Sequence, residues 1–270
     1  MSKQKKIVFV GGGNMAKAII YGLINNGYSQ SNILVVDTSN DQLDIISNNY
    51  AVNVSTSMCK FNGDEIIILA TKPHQIEAIC ETLKGSLSQQ LIISIAAGLS
   101  ISNIGKWLND YKYIVRTMPN LVAKIQRSMT ALYCKDTLVQ GYKNDAEDIF
   151  NTIGKVLWLN DESKIDAVTS ISGSGPAYIF YFLDSLIEAG EKVGLDREEA
   201  ELLAHETLLG SAIMSESYLD DLGTLVSNVS SKGGTTEQAI NVLKNKNFKE
   251  IISQAVASAF KRAVEIGNNR

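Results

Sequence analysis

Short and almost unbroken apolar runs recur through the first 160 residues: Ile7–Val10, Ile33–Val36, Ile66–Leu69, Leu91–Ile95 and Tyr113–Val115. Runs that brief and that apolar predict strands covered on both faces, as in a parallel sheet sandwiched between helices. Between them Asn14–Gly27, Asn40–Asn48, Gln75–Leu83 and Ser102–Leu108 carry helical spacing. Strand and helix in alternation predict βαβ units and a doubly wound α/β sheet of Rossmann type. Two further apolar runs, Met129–Tyr133 and Val156–Leu159, predict edge strands.

After about Glu162 the pattern changes. Pro176–Gly194, Arg197–Ser217, Thr236–Leu243 and Phe248–Gly267 repeat apolar residues at three- and four-residue steps, with little strand signal. The chain therefore divides into a dinucleotide-binding Rossmann domain over 1–162 and a smaller all-α domain over 163–270. Arg197–Ser217 is unusually rich in small and aliphatic residues (Ala200, Leu203, Ala204, Leu208, Ala212). A helix of that kind in so small a domain predicts packing against a second copy of the chain; an ordinary core helix is the alternative.

Composition narrows the function. Of 270 residues, 45% are hydrophobic and 20% charged, the profile of a soluble globular protein able to bury a large core. A net charge of −4 with dispersed signs argues against a nucleic-acid partner or an anionic membrane surface. No apolar run is long enough to span a bilayer. The basic start, Met1–Lys6, gives way at once to a short strand and three glycines, unlike a secretory signal. Cys59, Cys80 and Cys134 have no metal or redox spacing, as expected of reduced thiols in a cytoplasmic protein. His74 and His205 are likewise unpaired, so no metal is expected.

The first candidate site is the turn after the first strand. Gly11-Gly12-Gly13-Asn14-Met15-Ala16 reads G-x-G-x-x-A between a strand and a helix. There Gly11 permits the tight turn, Gly13 lets the backbone approach a pyrophosphate, and Ala16 allows close helix packing. The helix N-terminus adds partial positive charge. Asp37 follows at the end of the second strand, where an acid hydrogen-bonds the ribose of NAD; Thr38, Ser39 and Asn40 are small donors that suit the extra phosphate of NADP. Both nicotinamides stay open. Ala70, Lys72, Pro73, Ala96 and Asn120 fall just beyond later strands, at the edge where such sheets bind ligands.

The second candidate site is Ser230-Ser231-Lys232-Gly233-Gly234-Thr235-Thr236, where a loop turns into an amphipathic helix. Free amides and hydroxyls at a helix start are equipment for a small carboxylate. A plain Ser/Thr cap is the simpler reading, but four hydroxyls and two glycines exceed its needs. Gly173-Ser174-Gly175 is no nucleophile elbow, since position 171 is Ile; it leads into a helix with Pro176 in the first turn.

Taken together, GGGNMAKAI, LATKPHQ, SIAAGLS, RTMPN, SGSGPAYIF and NVSSKGGTTEQAI resemble the pyrroline-5-carboxylate reductase family nearly end to end. The resemblance implies a Rossmann domain joined to a helical domain that dimerises by interleaving helices, with dimers often assembling into decamers. It implies NADPH as the common cofactor, NADH being the alternative that Asp37 favours. It implies 1-pyrroline-5-carboxylate as substrate and L-proline as product, in the last step of proline biosynthesis. By motif, Ser231, Gly233, Gly234 and Thr235 resemble the residues that hold the substrate carboxylate, and Thr236 the hydroxyl on the ring nitrogen. Gly11, Asn14, Met15, Ala70, Lys72, Ala96 and Asn120 resemble cofactor contacts. The chain departs from the family at Lys232, usually Pro, at Leu121-Val122, usually Thr-Pro, and at Leu225-Val226-Ser227, usually a charged run.

Two other readings compete. A β-hydroxyacid dehydrogenase shares the two-domain plan, but its pattern wants a catalytic lysine where Ile179 stands and an asparagine where Phe182 stands. A catalytically idle, nucleotide-binding paralogue would explain the departures at Lys232 and Leu121-Val122. It would not explain why Ser231, Gly233, Gly234 and Thr236 are kept.

Overall fold

The computed structural model of the chain describes residues 4–217 and 221–268. Packing divides it into two compact units, one running to Ser174 and resuming at Ala259, the other covering Gly175–Ser258.

The first unit is built on an eight-stranded sheet in the order β3-β2-β1-β4-β5-β6-β7-β8. The strands are β1 (Ile7–Val10), β2 (Ile33–Val36), β3 (Asn53–Ser55), β4 (Ile66–Leu69), β5 (Leu91–Ser94), β6 (Ile114–Met118), β7 (Ser128–Cys134) and β8 (Gly154–Trp158). β1 lies between β2 and β4, with Phe9 opposite both Val35 and Ile68. From β3 to β6 every pairing is parallel; β7 runs antiparallel to β6, and β8 parallel to β7.

Side chains alternate between the two faces of a strand, and the core divides accordingly. Ile7, Phe9, Ile33, Val35, Ile66 and Ile68 enter one cluster; Val8, Val10, Leu34, Val36, Ile67 and Leu69 enter the other. The first face is covered by α1 (Asn14–Asn25), α2 (Asn40–Tyr50) and α5 (Gln140–Asn151), through residues such as Ile19, Leu23, Ile46 and Phe150. The second is covered by α3 (Ile76–Leu83) and α4 (Ile101–Trp107), through Ile76, Cys80, Leu83 and Ile104. The doubly wound plan expected from the sequence is therefore present. Each aliphatic or aromatic side chain fully buried this way contributes about 1.5–3 kcal/mol relative to exposure.

The second unit is helical. It holds α7 (Gly175–Lys192), α8 (Arg197–Ser217), α9 (Leu222–Val229), α10 (Thr235–Asn245) and the start of α11 (Phe248–Asn268), preceded in the first unit by the short α6 (Lys164–Val168). Its own core is slight: Ile187, Ala200 and Ala204, with Leu183 and Leu195 against them. A Cβ on Gly190 would stand 3.0 Å from Ala200 Cβ, so this glycine sets the close approach of α7 and α8. Most large apolar residues of the unit are exposed, among them Phe180, Tyr181, Leu209 and Ile213. Patches of that kind mark surfaces made for another protein chain. Among the described residues no helix is long and apolar enough to cross a membrane.

Several elements differ from the sequence reading. β3 is a short polar edge strand, α5 is a largely polar helix, and the short α6, like α9 before the Ser230–Thr236 loop, stands where no helix was expected. Met129–Tyr133 was expected at the sheet edge, but β7 lies inside the sheet because β8 pairs along its outer side. The remaining strands and helices lie within a few residues of their expected limits.

Candidate active site

The carboxyl ends of β1, β2, β4, β5 and β6 gather most of the residues expected to hold a dinucleotide. Gly11 is buried and left-handed at φ +104, and its amide donates to the Val36 carbonyl at 2.8 Å. A Cβ there would lie 2.7 Å from Thr71 Cγ2 and 2.8 Å from the Ala70 carbonyl, so only glycine fits. Gly12 is closed off in a different way, since a Cβ would lie 2.5 Å from Ile46 Cδ1. Gly13 instead is open: nothing but the Ala70 carbonyl oxygen, at 3.9 Å, lies near its missing Cβ. It is the N-cap of α1, where no side chain caps the helix, and both Gly13 and Asn14 are exposed. Uncapped amides beside a glycine-sized opening fit a pyrophosphate. Met15 is half-buried on the next turn, and Ala16 is fully buried against the sheet.

Asp37 uses both carboxylate oxygens on the backbone. Oδ2 accepts from the Gly12 amide at 2.8 Å, and Oδ1 accepts from the Ser39 amide at 2.9 Å. It thus holds the glycine turn against the end of β2, a function the sequence pattern does not reveal. Ser39 in turn caps α2 by accepting from the Gln42 amide.

After β4, exposed Lys72 opens a tight turn, Pro73–Gln75, and its amide donates to Gln75 Oε1 at 3.2 Å. Beside it the Thr71 hydroxyl is buried without a hydrogen-bond partner. Ala96 is buried beyond β5, its amide donating to the Ser94 hydroxyl at 3.3 Å. The loop is then braced by the end of α11: Ile266 Cγ2 lies 2.6 Å from where a Cβ on Gly98 would be.

Asn120, 8% exposed, follows β6. Its Nδ2 donates to the carbonyl and hydroxyl of Ser172 at 3.0 and 3.1 Å. Ser172 lies in a π-helical turn, Thr169–Gly173, and its hydroxyl donates to the Met129 carbonyl at 3.1 Å. Turns of this kind are frequent at functional sites. The other amide atom, Asn120 Oδ1, is buried and unpartnered. Two orphaned polar atoms, Thr71 Oγ1 and Asn120 Oδ1, together with the opening at Gly13, make this edge fit a bound dinucleotide. At the base of the same loop Arg116, almost wholly buried, pairs with Glu162 at 3.1 Å and Asp166 at 3.4 Å. Glu162 Oε1 also accepts from the Ile101 amide at 2.8 Å, joining β6 to the start of α4.

In the second unit the loop between α9 and α10 carries the hydroxyl- and glycine-rich stretch. Ser231 is exposed, and its hydroxyl lies where a Cβ on Gly234 would stand. The Gly234 amide donates to the Ser231 carbonyl at 2.9 Å, which closes the turn. Gly233 is left-handed at φ +76, and its amide donates to Glu237 Oε2 at 2.7 Å. No side chain caps α10, so the amides of its first turn, at Thr235 and Thr236, are the loop's unclaimed donors. Thr236 is half-buried and Lys232 exposed.

Burial pushes the Cys80 thiol up to about 12, with the Glu81 and Glu77 charges adding to it, and burial likewise raises Cys134. Among the described residues no group of three His, Cys, Asp or Glu is placed to hold a metal ion.

Known proteins give the same picture. Residues 162–266 match the family described as pyrroline-5-carboxylate reductase dimerisation, and residues 6–98 match that described as NADP oxidoreductase coenzyme F420-dependent. A pyrroline-5-carboxylate reductase of Pseudomonas aeruginosa is 36% identical over 263 residues, covering 97% of this chain and 96% of that one. A solved pyrroline-5-carboxylate reductase from Coxiella burnetii superposes with a TM-score of 0.91 at 41% identity, over 98% of this chain and 99% of that one. The Plasmodium falciparum pyrroline carboxylate reductase, solved with NADP bound, gives 0.86 at 30% identity over 98% of each chain. With relatives this similar along nearly its whole length, the chain belongs to the pyrroline-5-carboxylate reductase family.

Proposed function

We infer that this protein is an NAD(P)H-dependent oxidoreductase that reduces the C=N bond of 1-pyrroline-5-carboxylate to give L-proline, the last step of proline biosynthesis. The observation that carries the reading is the pairing in one chain of a glycine turn shaped for a dinucleotide and an uncapped, hydroxyl-rich helix start.

On this reading residues 1–162 bind the cofactor, through Gly11, Gly13, Asn14, Met15, Asp37, Ala70, Lys72, Pro73, Ala96 and Asn120. Residues 163–270 dimerise and bind substrate; a match to the dimerisation family beginning at residue 162 supports that division. When bound, the reduced nicotinamide supplies the hydride. The chain's own residues position the acceptor. Ser231, Gly233, Gly234 and Thr235 hold the carboxylate, helped by the positive end of α10. The Thr236 hydroxyl accepts from the N–H of the protonated ring nitrogen and so holds in place the proton that this nitrogen keeps once hydride has added to the carbon. A cyclic imine is basic enough to be protonated readily, so no strong buried acid is needed, in keeping with the absence of any such group in the loop. Alignment of two ligands supplies about 7–11 kcal/mol of such a barrier. The exposed apolar faces of α7 and α8 support a homodimer. A cytoplasmic location, and either a free dimer or a decamer built from such dimers, fit the same reading.

The test is direct. Purified protein mixed with 1-pyrroline-5-carboxylate and either NADPH or NADH should oxidise the cofactor only when the imine is present. Silence with both nicotinamides would overturn the reading and favour a nucleotide-binding scaffold.

A further inference from the structure

The loop that the proposed function assigns to the substrate carboxylate already holds a carboxylate of its own. Glu237 is the third residue of α10, the position from which a glutamate ordinarily reaches back to the amide of the N-cap residue. Here the N-cap is Gly234, and its amide is spent on the Ser231 carbonyl at 2.9 Å. Glu237 therefore reaches one residue further and accepts from the Gly233 amide at 2.7 Å. Gly233 can present that amide because its backbone is left-handed, at φ +76. The arrangement places an anionic oxygen on one of the donors that the imino acid's carboxylate is to use.

We propose that Glu237 is a built-in competitor for the substrate carboxylate, occupying the Gly233 amide in the free enzyme and swinging away when substrate binds. The inference rests on the reading of Ser231–Thr236 as the carboxylate loop. Glu237 is only partly buried, so the exchange costs little: solvent receives the displaced side chain, and one carboxylate replaces another on the same N–H. A ligand that must first displace an internal group binds with its affinity reduced by the fraction of enzyme in which the site is free. The contact also serves selectivity, because only a ligand bringing its own anion recovers the bond it breaks. A cyclic imine without a carboxylate leaves Glu237 in place.

Steady-state kinetics of Glu237→Gln and Glu237→Ala, with 1-pyrroline-5-carboxylate and with the carboxylate-free imine 1-pyrroline, test the proposal. Both variants should lower KM for the carboxylate-bearing imine by roughly threefold to tenfold. They should change kcat by less than about twofold and leave KM for 1-pyrroline unmoved. If Glu237 merely braced the loop, its removal would loosen the site, and KM for the carboxylate-bearing imine would rise or stay the same; either result overturns the proposal. Ser231→Ala, run in parallel, separates the two levels. It should raise KM for 1-pyrroline-5-carboxylate alone. If it shifts neither imine, the loop does not hold the carboxylate and both ideas fall; if it behaves as expected while the Glu237 variants do not, only the competitor is lost.

Discussion

The two units of this chain bury their apolar residues in opposite ways. In the sheet unit, β1, β2, β4 and β5 are buried along their whole length, and alternate residues feed two separate cores. Among the described residues of the helical unit the buried cluster is Ile187, Ala200 and Ala204, while Phe180, Tyr181, Leu209 and Ile213 are exposed. A unit with so little interior of its own depends on a second surface for its stability, since apolar burial is the main favourable term in folding and association alike. The comparison suggests a division of labour. On the proposed reading the sheet unit mounts the cofactor, while the helical unit, which matches a dimerisation family, carries the exposed Ser231–Thr236 loop.

The strongest blow to the sheet unit alone should come from Gly11→Val. The side chain would meet Thr71 and Ala70 in a backbone conformation that suits only glycine. Strain of about 1–3 kcal/mol, together with displacement of the turn that leads to the Gly13 opening, should raise the Kd for NADPH roughly tenfold to a hundredfold. Fluorescence titration checks this, and the assembly state by analytical ultracentrifugation should not change. Phe180→Asp makes the converse test. It should weaken association by about 2 kcal/mol, seen as a concentration-dependent shift toward monomer, while NADPH affinity stays within about twofold of the original. Loss of cofactor binding in that variant would show that the units do not act separately.

A smaller effect should follow from Glu65→Gln. Burial of Glu65 pushes its pKa up, but the amides of Asn62 and Gly63, at 2.7 and 2.9 Å, outweigh it and hold the carboxyl below its ordinary value. A depressed folded-state pKa gives stability that is fully present above the unfolded value of about 4.3 and is lost as pH falls through the folded value. The variant should lose about 1–2 kcal/mol at neutral pH by urea denaturation. The gap from the parent should close on acidification below the carboxylate range.

The sheet was legible in the sequence because strands covered on both faces leave a continuous apolar record, as in Ile66–Leu69. β3 was not, since Asn53-Val54-Ser55 lies at the edge with half-exposed side chains. α5 was missed because it turns only Ala146, Ile149 and Phe150 inward and is otherwise polar. The same holds at the sites. The Gly11 turn and the Ser231–Thr236 loop are local chemistry written in consecutive residues. Partners brought from far along the chain left no local trace: Ser172 under Asn120, Ile266 against Gly98, Glu162 across from Arg116. Glu237 was in plain view four residues past Gly233, but only the left-handed backbone at Gly233 aims the amide at it.

The division of labour is tested most directly by Thr236→Ala, measured for both kcat and NADPH affinity. The account predicts a fall in kcat of about a hundredfold, with cofactor Kd unchanged, because the proposed function gives Thr236 the imine nitrogen and no part of the dinucleotide. An unaltered kcat, or a loss of NADPH affinity matching the loss of turnover, would contradict it.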